Sequence, residues 1–221
     1  MSFSFQRDSL QRQREEMVRT HLAGRGIRDA RVLAAMASVP RHEFVPAELQ
    51  ADAYEDHPLP IGDGQTISQP YIVAAMLEHL ALRATDRVLE VGTGSGYATA
   101  LLSLLCAEVF SVERYASLAA SAEATLLRLG YANVRIKLGD GSLGWGEQAP
   151  FDAILVSAAT SEVPEPLFAQ LVEGGRMIIP VGSPLSQELQ LIRKVNGRAE
   201  VRVLEGCRFV PLVGGEVPRE F

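Results

Sequence analysis

Between Asp86 and Gly182 the chain alternates short β-branched runs with helix-like segments. The runs are "RVLEV", "EVFSVE", "VRIKLGD", "FDAILVSA" and "GRMIIPVG". Alternation of this kind requires an α/β architecture with a mostly parallel, doubly wound sheet. The runs carry apolar residues at neighbouring positions, as strands do when helices cover both faces. Beyond them "ELQLIRKV" and "VRVLEGCRFVPLV" are joined only by "NGRAE", which predicts an antiparallel hairpin closing one edge. Ahead of the sheet, Leu10, Met17, Val18 and Leu22 recur at helical spacing over Ser9 to Leu22, with Gly24 and Gly26 as stop signals. In "RDARVLAAMASVPRHEFVP" Asp29 is placed to cap a second helix, Val32, Leu33, Met36 and Val39 form its stripe, and Pro40 ends it. One domain is expected over 1–221: a helical and loop segment at 1–80, a ligand-binding α/β core at 86–182, and antiparallel strands with a tail at 183–221.

With 221 residues, 47% of them hydrophobic and 22% charged, the chain is long and apolar enough to bury a sizeable core without disulfides. Its net charge is −6 and its Lys and Arg residues form no run, so nucleic acid is disfavoured as a partner. The N-terminal stretch has no apolar core of signal-peptide type, and no uncharged apolar run is long enough to span a membrane. A cytoplasmic monomer with no membrane association is expected. Cys106 and Cys207 are not paired by spacing, no clustered His suggests a metal, and both thiols read as small buried hydrophobes.

"VLEVGTGSGYATALLSLL" is a strand, then Gly92, Gly94 and Gly96, then a helix. Such a turn lets a ligand approach the main chain while the helix start offers free N–H groups. The spacing is GxGxG rather than the dinucleotide GxGxxG, and Glu90 stands just before it. A carboxylate there would repel a pyrophosphate but suits a ligand with a positive amino group. Glu113 ends the next strand, where a carboxylate can accept bonds from both hydroxyls of a ribose. Asp140 follows the third strand in "LGDGSLGW" at the same sheet edge, although an Asp between glycines also serves as a plain turn former. Three carboxylates at successive strand ends suit an amino group, a ribose and an adenine, which matches S-adenosylmethionine.

The fourth strand runs into "SAATSEVPEP", without the Asn/Asp-Pro-Pro-aromatic loop used by many amino methyltransferases, so the methyl acceptor must be recognised elsewhere. The stretch "GDGQTISQPY" precedes an apolar helical run, with Ser68 near the helix start and Pro70 in its first turn. From the residues alone Ser68 reads first as an N-cap. His57 reads as a loop histidine and Trp145 as a packing residue near the cofactor loop.

Over nearly its whole length the chain resembles the bacterial protein-L-isoaspartate O-methyltransferases. The resemblance rests on "RVLAAMASVPRHEFVP", "AYEDHPLPIGDGQTISQPYIVAAM", "VLEVGTGSGYATALL", "GDGSLGW", "FDAILVSAA", "LVEGGRMIIPVG" and "RFVPLVG". It implies the Rossmann-like fold of class I S-adenosylmethionine-dependent methyltransferases and methyl transfer to the free α-carboxylate of L-isoaspartyl residues in damaged proteins and peptides. By the same resemblance, Glu90, the Gly92, Gly94 and Gly96 loop, Glu113, Asp140 and Gly141 fall on the cofactor, with Gln65 and Ser68 in the "GQTIS" loop, Gly64 to Ser68, that helps cover it. Ser68 falls on the family's active-site serine. Gln69, Tyr71 and Val210 fall on the peptide side, Tyr71 where some relatives have histidine. A methyltransferase of a small molecule or of RNA, a non-catalytic S-adenosylmethionine-binding module and an NAD-dependent oxidoreductase are the competing readings.

Overall fold

The computed structural model describes residues 2–214, with side chains over 9–214; the last residues of the expected tail, 215–221, lie outside the described residues. Helix α1 (Ser2–Met17) runs into a wider π-type turn at Val18–Leu22, and α2 (Ala30–Ser38) follows. The Asp29 side chain accepts from the Arg31 and Val32 amides, as its position before an apolar stripe predicts. Two 3₁₀ turns, Arg41–Phe44 and Ala47–Asp52, lead to a two-stranded hairpin of β1 (Leu59–Gly62) and β2 (Gln65–Ile67), then to α3 (Pro70–Leu80).

The main sheet begins at β3 (Arg87–Val91). It continues through α4 (Tyr97–Leu105), β4 (Glu108–Glu113), α5 (Ala116–Leu129), β5 (Val134–Leu138), β6 (Phe151–Val156), the short α6 (Glu165–Ala169) and β7 (Leu171–Ser183). Strands β8 (Ser186–Val195) and β9 (Arg198–Cys207) complete it. The spatial order is β5-β4-β3-β6-β7-β8-β9; the first five strands of this order are parallel, and β8 and β9 are antiparallel. The chain winds outward from β3 to β5, then returns to the other side of β3, so the switch point lies beyond the carboxyl ends of β3, β4 and β6. Ligands bind there in sheets of this type.

The five-residue hairpin link expected from "NGRAE" is shorter in the structure. Asn196 (φ 51) and Gly197 (φ 71) make the whole turn, and Arg198 to Glu200 already pair with β8. Two consecutive left-handed residues give the turn whose twist matches antiparallel strands, and Asp63 (φ 50) with Gly64 (φ 68) repeat it between β1 and β2.

A core of buried side chains runs from Met17, Leu22, Val32 and Met36 through α3 and α4 to Val88, Ala153 and Ile178 on the sheet. The opposite sheet face is filled by Leu89, Phe110, Phe151, Ile154, Met177 and Ile192, with Trp145 packed edge-on to Phe110 at 5.8 Å. Cys106 is buried, whereas Cys207 is only half-buried because β9 is the sheet's last strand. Among the described residues no helix is long and apolar enough to cross a membrane.

Candidate active site

Two concavities meet above the carboxyl ends of the parallel strands. The first, about 950 Å³, is lined by the Thr93 to Ser95 loop, Val91, Val112, Glu113, Gly141, Leu155 and the segment Val210 to Val213. The second, about 1220 Å³, is an open groove lined by Arg25, Gln69, Tyr71, Ile72, Glu205, Cys207, Arg208 and Phe209 among others. Thr66, Ser68, Ser157 and Val210 line both. These four residues are common to the two spaces.

The floor of the first cleft is built by local rules. After β3 the main chain crosses Gly92, Gly94 and Gly96 with φ of 91, 54 and 87 before entering α4. Glu113, at the end of β4 and 5% exposed, holds this loop: its Oε2 accepts from the Gly94 amide at 2.7 Å. Its Oε1 accepts from the amides of Arg114 and Tyr115 at 2.8 and 3.0 Å. A negative charge thus faces the cleft on a carboxylate already oriented by three backbone donors. Gly141 marks a close approach, since a Cβ there would sit 2.5 Å from Val91 Cγ1. The hairpin turn is tied over this side by Ser117 Oγ, which donates to Asp63 Oδ2 at 2.6 Å, while Gln65 Nε2 reaches the Asp63 carbonyl at 3.2 Å.

Three residues expected at the cofactor stand behind the wall. Side chains alternate along a strand, so Glu90 points to the opposite face from Val91 and lies fully buried beneath the loop. Its Oε2 accepts from Thr99 and Ser111 hydroxyls at 2.5 and 2.6 Å, and Oε1 has no hydrogen-bond partner. Burial pushes this carboxyl up to about 7 against the two hydroxyl bonds, which favour ionisation. Gly96 turns its open side to Ala122 and Leu126, which lets α4 pack on α5. Asp140 caps the short turn Gly141–Leu143, its Oδ1 accepting from the Ser142 amide at 2.9 Å and hydroxyl at 2.7 Å.

On the groove side, Ser68 is half-buried between β2 and α3. The capping role suggested by its place in the sequence is not seen: the N-cap position falls on Gln69, one residue later, whose side chain makes no cap bond. Instead the Ser68 carbonyl is held by Arg41, whose Nη2 donates at 2.8 Å. Tyr71 lines the groove with the Arg25 guanidinium 3.7 Å above its ring. Arg25 also pairs with Asp56, whose second oxygen accepts from the Tyr71 amide at 2.9 Å. Val210 is fixed by its carbonyl, which accepts from the Ala159 amide at 2.8 Å. The neighbouring Phe209 backbone exchanges two bonds with the Gln187 side chain, at 2.7 and 3.2 Å. His57 is an exposed loop residue hydrogen-bonded to the Pro58 carbonyl.

Residues 12–217 match the family of Protein-L-isoaspartate(D-aspartate) O-methyltransferase (PCMT). The chain belongs to this family. A protein-L-isoaspartate O-methyltransferase of Koribacter versatilis is 58% identical over 203 residues, covering 92% of this chain and 91% of that one. The enzyme of the same name from Methanoculleus marisnigri is 54% identical over 207 residues, covering 94% of each. In structure the chain is similar to a Plasmodium falciparum protein-L-isoaspartate O-methyltransferase solved in complex with S-adenosyl-L-homocysteine. The TM-score is 0.80 at 30% identity, over 90% of this chain and 98% of that one.

Within this isoaspartate methyltransferase chain, sequence reasoning missed Arg41, Thr66, Ser157, and the Arg25 and Asp56 pair that frames Tyr71. Thr66 and Ser157 carried a signal, since both lie inside the quoted stretches "GQTIS" and "FDAILVSAA". Arg41 also lies inside a quoted stretch, "RVLAAMASVPRHEFVP", but its burial does not show there, and Arg25 carried no signal because a charged residue between Gly24 and Gly26 reads as solvated.

Proposed function

We infer that the protein transfers a methyl group from S-adenosylmethionine to the free α-carboxylate of L-isoaspartyl residues in damaged proteins and peptides. The observation that carries this assignment is the shared wall of Thr66, Ser68, Ser157 and Val210 between the cleft lined by the glycine loop and Glu113 and the groove lined by Gln69, Tyr71 and Phe209. Family membership supports it independently.

The cleft fits the cofactor. Glu113 offers a fixed carboxylate for ribose hydroxyls, and the apolar wall of Val91, Val112, Leu155 and Leu212 beside Gly141 suits a flat purine. The Gly92 and Gly94 main chain and Gln65 would hold the amino acid portion, and Glu90, Gly96 and Asp140 would keep these groups in place from behind. When bound, the cofactor supplies a methyl group on a positively charged sulfur.

The chain's own residues need little acid–base chemistry for this reaction. A free α-carboxylate titrates near about 3.5, so it is ionised at neutral pH without a general base. No histidine lines either concavity among the described residues. Ser68 sits at the junction, where its hydroxyl would donate to one carboxylate oxygen and aim the other. Gln69, Tyr71 and Val210 would hold the flanking peptide. Excluding water and fixing the approach in this way contribute roughly 7 to 11 kcal/mol in well-aligned reactions. The ester then has a better leaving group than the carboxylate. Attack by the following peptide nitrogen breaks the ester C–O bond, releases methanol and gives a succinimide, and its hydrolysis returns some normal aspartate.

The protein is taken to act as a cytoplasmic monomer on proteins and peptides, without nucleic acid or membrane. The test is labelled-methyl transfer to matched peptides containing isoaspartate, aspartate or D-aspartate. Transfer confined to isoaspartate, or strongest there, is expected, and equal transfer to isoaspartate and aspartate would refute the assignment.

A further inference from the structure

We infer that Arg41 is a positioning residue for Ser68, locking the loop that carries the serine against the first turn of α4. This rests on the assignment of Ser68 as the group that orients the substrate carboxylate.

Arg41 is fully buried at 0% exposure, in the 3₁₀ turn that follows Pro40. Its Nε donates to the Ala53 carbonyl at 2.7 Å and its Nη2 to the Ser68 carbonyl at 2.8 Å. The guanidinium carbon stands 4.8 Å from the centre of the Tyr97 ring. Tyr97 opens α4 and lines the cofactor cleft. One side chain therefore joins the second 3₁₀ turn's end, the serine loop and the cofactor-side helix.

The chemistry of the position argues against simple packing. A buried cation is unfavourable relative to apolar residues of the same volume, and here Nη1 has no hydrogen-bond partner. Burial lowers the guanidinium to about 10, so it remains charged at neutral pH. What arginine offers is a rigid fork that reaches two carbonyls from separate segments, which the single ammonium of lysine does not reproduce. Asp56 holds the first turn of α3 through the Tyr71 amide, and Arg41 holds the Ser68 carbonyl just before it, so the serine is fixed from the core side by the arginine.

The experiment is a double-mutant cycle of Arg41→Lys and Ser68→Ala. Turnover on an isoaspartyl peptide would be measured by labelled-methyl transfer, and S-adenosylhomocysteine affinity by calorimetry. Arg41→Lys is expected to reduce kcat about 30- to 100-fold, the scale of a small misplacement of a reacting group. Its S-adenosylhomocysteine affinity should stay within about threefold, and in the Ser68→Ala background the same change should cost less than about threefold. Equal losses in both backgrounds would overturn the inference, as would cofactor affinity falling in parallel with turnover. Wild-type turnover in Ser68→Ala alone would instead remove the serine assignment, and the inference with it. If Arg41→Lys does not fold, Arg41→Gln takes its place; failure of both to fold would make Arg41 a requirement of the fold and refute the positioning role.

Discussion

The amide of Gly94 donates to Oε2 of Glu113 at 2.7 Å, so the carboxylate that faces the cleft also clips the glycine loop to the end of β4. A charge-assisted hydrogen bond contributes roughly 1.5 to 3 kcal/mol. Glu113→Gln keeps one oxygen for Gly94 but replaces the other acceptor by an amide. S-adenosylhomocysteine affinity, measured by calorimetry, should fall about 10- to 100-fold. An unchanged affinity would take Glu113 out of the ribose site.

Glu90 makes stability depend on pH in an unusual direction. Its carboxyl titrates near 4.5 in the unfolded chain and is raised to about 7 in the fold. Between those values the folded state binds more protons than the unfolded one, so stability falls as pH rises through the window and is level above it. The total is on the order of 3 kcal/mol. Glu90→Gln should flatten the difference between denaturation curves at pH 5 and pH 7.5. A variant with the wild-type slope would show that Glu90 is ionised in the fold at both values.

Arg25 lies over Tyr71 and pairs with Asp56, which fixes the Tyr71 amide. Loss of a partly exposed cation–aromatic contact is worth about 1 kcal/mol or slightly more. Arg25→Ala should therefore raise KM for an isoaspartyl peptide roughly 3- to 10-fold with little change in cofactor affinity. Steady-state kinetics at saturating S-adenosylmethionine would check this, and an unchanged KM would show that the Tyr71 wall does not touch the peptide.

Asp86 and Arg176 are paired beneath the end of α3, at 3% and 7% exposure. Arg176 also donates to the carbonyls of Leu80, Ala81 and Asp152 at 2.6, 3.0 and 3.1 Å. Removing one member of a buried pair leaves its partner uncompensated, at a cost of roughly 3 to 5 kcal/mol. Arg176→Met should lower the unfolding free energy by about that amount in urea. A loss below about 1 kcal/mol would mean that water replaces the arginine.

The parts of the fold governed by local periodicity were legible in the chain. Apolar runs placed all five parallel strands, and Asp29 marked the start of α2. Boundaries set by partners were not: β7 begins at Leu171, ahead of the run that starts at Gly175, because it pairs with Phe151 across an irregularity in register. Small hairpins were missed or mis-sized because one pair of left-handed residues suffices, as at Asp63 and Gly64. For the site, motifs located Glu113, Gly141, Ser68 and Val210 on the cleft or groove. They did not reveal that Glu90 turns inward, nor that Arg41, distant in sequence and charged, holds the serine from within the core. Alternation along β3 could have signalled the first; only tertiary contact reveals the second.

Val210 to Val213 wall the cleft, and Phe209 and Val210 wall the groove, yet this segment follows every strand in chain order. The last described stretch of chain thus gives a side to each of the two concavities at once, pinned where Gln187 holds the Phe209 backbone and Ala159 the backbone of Val210 and Leu212.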